Sequence, residues 1–78
     1  MMDTIIKLLK SIKPTAEINE TTELINDCII DSLSMIMLVN ALCNEFDVDI
    51  TAKDITPENF ATPLTIYNLI TRIEDEED

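Results

Sequence analysis

Apolar positions recur with helical spacing in three stretches of the chain. Two stretches without a sustained period separate them. Over residues 3–13, Ile5, Leu8, Leu9 and Ile12 repeat at i, i+3, i+4 and i+7, which marks one buried stripe of an amphipathic helix. Lys7, Lys10 and Lys13 fall off that stripe. Asp3 can cap its start, and Pro14 ends it by disfavouring helical geometry at Lys13. Residues 32–46 predict the strongest helix, with Asp31 as N-cap and an inner face of Leu33, Ile36, Val39 or Asn40, Leu42, Cys43 and Phe46. Met35, Met37 and Leu38 widen its apolar surface beyond one stripe. Near the C-terminus, Thr62-Pro63 sets a capping residue before a proline at the first helical position. The helix it opens runs to about Glu74, with Leu64, Ile66, Tyr67, Leu69, Ile70 and Ile73 as its apolar positions. Thr56-Pro57 gives the same signal, with room only for a short helix over 57–61.

The aperiodic stretches are also informative. Residues 14–31 are mainly polar, with Ile18, Leu24, Ile25, Ile29 and Ile30 scattered among them and a short helical turn possible near Thr22–Asn26. A loop this long is uncommon in a compact domain and points to a segment pinned across the helices or tied to function. Residues 47–55 alternate briefly, but a lone strand would have no partner. They read as an extended loop with Val48, Ile50 and Ile55 turned inward. The expected fold is all-α: three main helices, one short third helix and a long first loop. Its expected core is Ile5, Leu8, Leu9, Ile12, Leu24, Ile36, Leu42, Phe46, Ile50, Ile55, Phe60, Ile66, Leu69, Ile70 and Ile73. Residues 1–74 make one domain, and the acidic tail 75–78 is expected to be disordered.

Composition narrows the chemistry. A chain of 78 residues builds a thin core and cannot also enclose a large catalytic cavity, so it acts at its surface. Glycine is absent, which argues against glycine-rich phosphate loops and dinucleotide fingerprints. Histidine is absent too, which removes Ser–His and Cys–His nucleophile pairs and histidine metal sites. Cys28 and Cys43 are too few for a zinc site and read as buried free thiols rather than a disulfide. Together these absences point away from an independent enzyme and away from any metal.

The net charge is −11, and −6 remains when the five acids of Glu74–Asp78 are set aside. Such a chain repels nucleic acid and anionic membrane surfaces, and attracts a basic protein partner. Asp3, Lys7 and Lys10 interrupt any leader-like apolar run, and no run approaches membrane-spanning length. A cytoplasmic chain without membrane insertion is therefore expected. Asn19-Glu20-Thr21 fits a glycosylation acceptor, but without a secretion signal it reads as chance.

Asp31-Ser32-Leu33, opening the second helix, resembles the modification site of acyl carrier proteins. Glu45-Phe46-Asp47, closing that helix, resembles the family's matching segment at the matching distance from Ser32. The long first loop, short third helix and acidity fit the same pattern, which covers nearly the whole chain. Asp-Ser-Leu alone would recur by chance; the combination is specific. The resemblance implies an acyl-carrier-protein-like four-helix bundle. It implies 4'-phosphopantetheine attached covalently to Ser32 by a transferase that uses coenzyme A, with Asp31 and Leu33 flanking the site. It implies a non-catalytic, monomeric carrier of a thioester cargo. A phosphopantetheinyl transferase, a loading ligase and acyltransferase or synthase enzymes would be its partners, docking over Leu33, Met35, Ile36, Met37 and Asn40. A helix N-terminus suits a phosphodiester, since its unpaired N–H groups and dipole favour negative charge.

The chain departs from the family in two places. Glycine often stands shortly before the family's Asp-Ser-Leu, whereas Ile29 and Ile30 stand here, so this turn is expected to avoid positive φ. The family's second helix is often rich in Asp and Glu, whereas here Ser34, Met35, Met37, Asn40, Cys43 and Asn44 precede a lone Glu45. Met35 and Met37 either pack under the long loop or mark a partner surface that relies on apolar contact more than charge. Thr56-Pro57-Glu58-Asn59-Phe60 resembles freestanding carriers of aminoacyl or specialised acyl groups, which leaves the cargo open between fatty acyl, polyketide and aminoacyl. Two other classes compete: an acidic helical inhibitor or immunity-type protein, and a structural helical adaptor. Neither needs a serine at position 32.

Overall fold

The computed structural model describes residues 2–76. Helix α1 spans Met2–Ile12, α2 Ser32–Phe46 and α3 Pro63–Glu76, with a short 3-10 turn at Ala52–Asp54 and no strand among the described residues. Helix α1 packs on both α2 and α3. The core joins all three helices to the loops. Ile5, Leu9, Leu24, Leu38, Leu42, Phe60, Ile66, Leu69 and Ile70 are almost completely buried.

Local chemistry explains the helix limits. Asp3 lies in the first turn of α1 rather than at its cap, and the helix stops before Pro14, with the Lys13 N–H donating to the Leu9 carbonyl. In α3, Thr62 and Thr65 cap each other reciprocally: Thr65 N–H donates to Thr62 Oγ1 at 3.2 Å and Thr62 N–H to Thr65 Oγ1 at 3.0 Å. This helix runs two residues past its predicted end. Each terminal carboxylate opposes the helix dipole by only about 0.3–1 kcal/mol, so the acids do not halt it at Glu74. Residues 77–78 of the acidic tail lie outside the described residues.

The predicted helix over 57–61 is a single turn. Thr56 holds it, accepting Phe60 N–H on its carbonyl and Asn59 N–H on Oγ1, and the chain does not continue into a second turn. Regular structure forms instead just upstream, in the stretch read as an extended loop, where the Thr51 N–H and hydroxyl both donate to Asp54 Oδ2. Val48 and Ile50 turn inward as expected, whereas Ile55 is 38% exposed. Ile36, also expected in the core, is 61% exposed. Helix α2 is apolar nearly all round, so spacing alone cannot say which side faces in. Its buried side is Ser34, Leu38, Val39 and Leu42, rotated from the predicted stripe in the first half of the helix. Leu8, Ile12 and Phe46 are half-buried against the core, while Ile18, Ile30, Leu38, Val39 and Val48 are buried beyond the expected set.

The long first loop is pinned at Leu24. Its side chain is fully buried, its N–H donates to the Ala61 carbonyl at 2.8 Å, and its carbonyl accepts from both Ile29 and Ile30 N–H. A second tie runs from Leu64 N–H to the Glu20 carbonyl. The tight turn from Leu24 to Ile30 passes through a left-handed residue after all, with Cys28 at φ 58°. Closing two hydrogen bonds on one carbonyl demands that reversal, and no glycine is available to supply it. Neither cysteine is in a disulfide. Cys28 is exposed and Cys43 half-buried, so the expected burial of both thiols does not hold.

Leu24→Ala should lower stability by about 2–5 kcal/mol in urea denaturation, through the cavity and lost burial. A loss below about 1 kcal/mol would show that the loop does not depend on this side chain. At Cys28 the left-handed conformation costs a non-glycine residue about 1–2 kcal/mol. Glycine there gives back part of that gain, about 0.5–1 kcal/mol, in unfolded-chain entropy. Cys28→Gly should therefore hold or slightly raise the urea midpoint, whereas β-branched Cys28→Val should lower it.

Candidate functional site

The start of α2 gathers the residues singled out in the sequence. Asp31, in extended conformation at φ −101° and ψ −173°, is the N-cap, and its Oδ1 accepts from Ser34 N–H at 2.8 Å. Its carbonyl takes the first helical bond, from Met35 N–H at 2.8 Å. Hydrogen bonding from Ser34, first from its N–H and then its hydroxyl, holds the Asp31 carboxyl below the usual carboxylate range, with Lys13 adding a weaker attraction. The exposed carboxylate is therefore ionised near neutral pH.

Ser32 is the first residue of α2 and is exposed. Its neighbour does the capping, so its hydroxyl is not needed to start the helix. The N–H groups of Ser32 and Leu33 belong to the first turn, which no intrahelical carbonyl satisfies. The positive end of a 15-residue helix lies there too. A phosphodiester on Ser32 fits these residues. It would meet the Ser32 N–H and the positive end of the helix dipole, beside an Asp31 carboxylate that already holds the N–H groups of Ser34 and Leu33.

Beside Ser32 runs an open groove of about 590 Å³, lined by Ile25, Cys28, Ile30, Asp31, Ser32, Met35, Ile36 and Ile55. One wall is the first loop, the other α2 and the end of the 3-10 turn. Asn59 holds that second wall by donating from Nδ2 to the Asp54 carbonyl at 2.9 Å. Met35 packs against the core and lines the groove, whereas Leu33 and Met37 are 68% and 50% exposed, and Asn40 is exposed. The anticipated docking residues thus divide. Leu33, Ile36, Met37 and Asn40 share one outward stripe, and Ile36 also lines the groove with Met35. Sequence reasoning did not place Ile25, Cys28, Ile30 and Ile55 in a site. The only signal was the cluster of isoleucines inside an otherwise polar loop.

Among the described residues, no group of three or more Cys, Asp or Glu side chains could hold a metal ion. No helix there is long and apolar enough to cross a membrane. A family model described as a phosphopantetheine attachment site matches residues 2–73. No curated protein and no solved structure matches the chain.

Replacing Asp31 tests the cap. Asp31→Ala should lower the thermal midpoint by several degrees, and Asp31→Asn, which still accepts from Ser34, should keep most of it. The acid's pKa lies below its ordinary 3.8 in the folded state, so its stabilisation is complete above that value and fades as pH falls through the lowered one. Thermal melts between pH 7 and about 2 should show this loss in the wild type and not in Asp31→Asn; parallel curves would refute the assignment.

Proposed function

The chain belongs to the phosphopantetheine attachment-site family, and from that membership we propose that Ser32 is the residue bearing its covalent 4'-phosphopantetheine. As a member it is a carrier protein that works with a phosphopantetheinyl transferase and with partner enzymes. When attached, the group supplies a terminal thiol that holds cargo as a thioester. The protein's own residues present the attachment oxygen, orient the arm's root at the helix mouth and offer a groove beside it.

The observation that carries the assignment is the spare, exposed hydroxyl of Ser32 at the mouth of a helix capped by its neighbour. The role is non-catalytic: the chain holds no histidine, and the site needs no acid or base of its own. The cargo is an acyl or aminoacyl group; the groove beside the site is mainly apolar, with Asp31 the only charged residue among its lining. A loading ligase and acyltransferase or synthase enzymes would deliver and collect that cargo, meeting the stripe of Leu33, Ile36, Met37 and Asn40. No finding favours the acidic-inhibitor alternative.

Incubation with coenzyme A and a broad-specificity phosphopantetheinyl transferase should raise the intact mass by one arm. Ser32→Ala should show no gain while keeping the wild-type circular dichroism and urea midpoint. A gain that persists in Ser32→Ala would move the attachment elsewhere.

A further inference from the structure

Basic residues are gathered in one part of this acidic chain. Residues 4–16, which include most of α1, hold three of the five basic residues and none of the sixteen acids. Lys7 and Lys10 stand at i and i+3 on the exposed side of α1, while Lys13 is half-buried and attracted to Asp31. Beside Lys10 lies a second open groove, of about 510 Å³, lined by Ile6, Lys10, Ile18, Asn19, Glu20 and Thr21. Ile6 comes from α1 and Ile18 from the first loop, and both pack into the core. The groove therefore has an apolar floor, a cationic rim at Lys10 and a polar rim opposite. That polar rim is braced: Asn19 Oδ1 accepts from the Thr21 N–H and from the hydroxyls of Thr21 and Thr22. This groove shares no lining residue with the one beside Ser32.

We propose that this face of α1 docks an acidic, amphipathic peptide segment of a partner protein, with carboxylates on Lys7 and Lys10 and an apolar side chain between Ile6 and Ile18. The proposal goes beyond the carrier reading and does not depend on it. Charge sets the sign of the occupant, because a stretch with only cations complements an anion. Size sets its kind. Lys7 and Lys10 are about 4.5 Å apart along the helix axis. Asp3 stands one turn before Lys7, and Glu17 and Glu20 follow the basic stretch. Charges act over about 8 Å at physiological salt, so a broad anionic surface such as a membrane or a nucleic acid would also meet those flanking acids. A second copy of this chain brings its own −11 and is repelled. One peptide segment with two or three carboxylates fits between the flanking acids, and its apolar side has a floor to cover. A partner held there leaves the lining of the Ser32 groove uncovered.

The test titrates the unmodified chain with a synthetic helical peptide, leucines along one side and glutamates along the other, at about 0.15 M sodium chloride. Backbone amide shifts in nuclear magnetic resonance give the site and the affinity. The shifts should fall in α1 and in residues 16–21, not along α2. Lys10→Glu should weaken binding about tenfold, whereas Lys53→Glu, the same charge change at the exposed 3-10 turn, should alter it less than about twofold. A peptide with serines for leucines should also bind about tenfold more weakly. Circular dichroism should match the wild type for both variants, since both lysines are exposed. Equal losses in Lys10→Glu and Lys53→Glu would reduce the effect to net charge and overturn the proposal. So would equal or tighter binding of a peptide with lysines for glutamates, or shifts centred on α2. Binding to phosphatidylglycerol vesicles, or a dimer in sedimentation, without peptide binding would give the face another occupant and overturn it too. None of these outcomes alters the mass gain expected at Ser32, so this proposal and the carrier reading fail separately.

Discussion

The architecture depends on how one buried leucine ties down a long loop. Leu24 reaches the core with its side chain, binds the turn before α3 with its N–H and closes the approach to α2 with its carbonyl. The nineteen residues between α1 and α2 would otherwise cost more conformational entropy than their few apolar side chains recover. By holding Ile29 and Ile30 on the same carbonyl, Leu24 fixes where the chain re-emerges. Asp31 then meets the first turn of α2 with its side chain already in capping position. Without that tie the cap, the helix start and the groove wall would all lose their common reference.

The parts legible in the sequence are those governed by local chemistry. The limits of α2 follow from Asp31 at one end and the left-handed Asp47 at the other, whose N–H bonds the Cys43 carbonyl. The start of α3 follows from Thr62-Pro63, and the Ile5 and Leu9 stripe of α1 from simple spacing. What stayed hidden depends on tertiary context. Ile36 and Leu38 are equally apolar, and only the position of α1 and the loops decides that one faces water and the other the core. A capping threonine before Pro57 starts a turn, but continuing it as a helix requires an apolar face with something to pack on, and the following residues lead directly into Thr62. Cys28 at positive φ could not be foreseen from a side chain that rarely adopts it; the demand comes from the carbonyl of Leu24.

Charge and apolar surface are segregated rather than mixed. Most acids occupy the loops and the chain's end, while the middle helix is free of charge from Ser32 to Asn44 and carries an acid only at Glu45. Long-range potential from the acids can draw a basic partner from a distance, while the neutral stretch leaves most of the middle helix without charge.

Ser32 stands at the head of α2 while its neighbour, through Ser34 and Met35, does the work of starting that helix. A group esterified to its oxygen can therefore come and go without breaking a bond on which the helix relies. Were the arm attached at Ser32, bare and loaded chains would share one scaffold, and an enzyme that stripped the arm away would leave an intact template ready for another round.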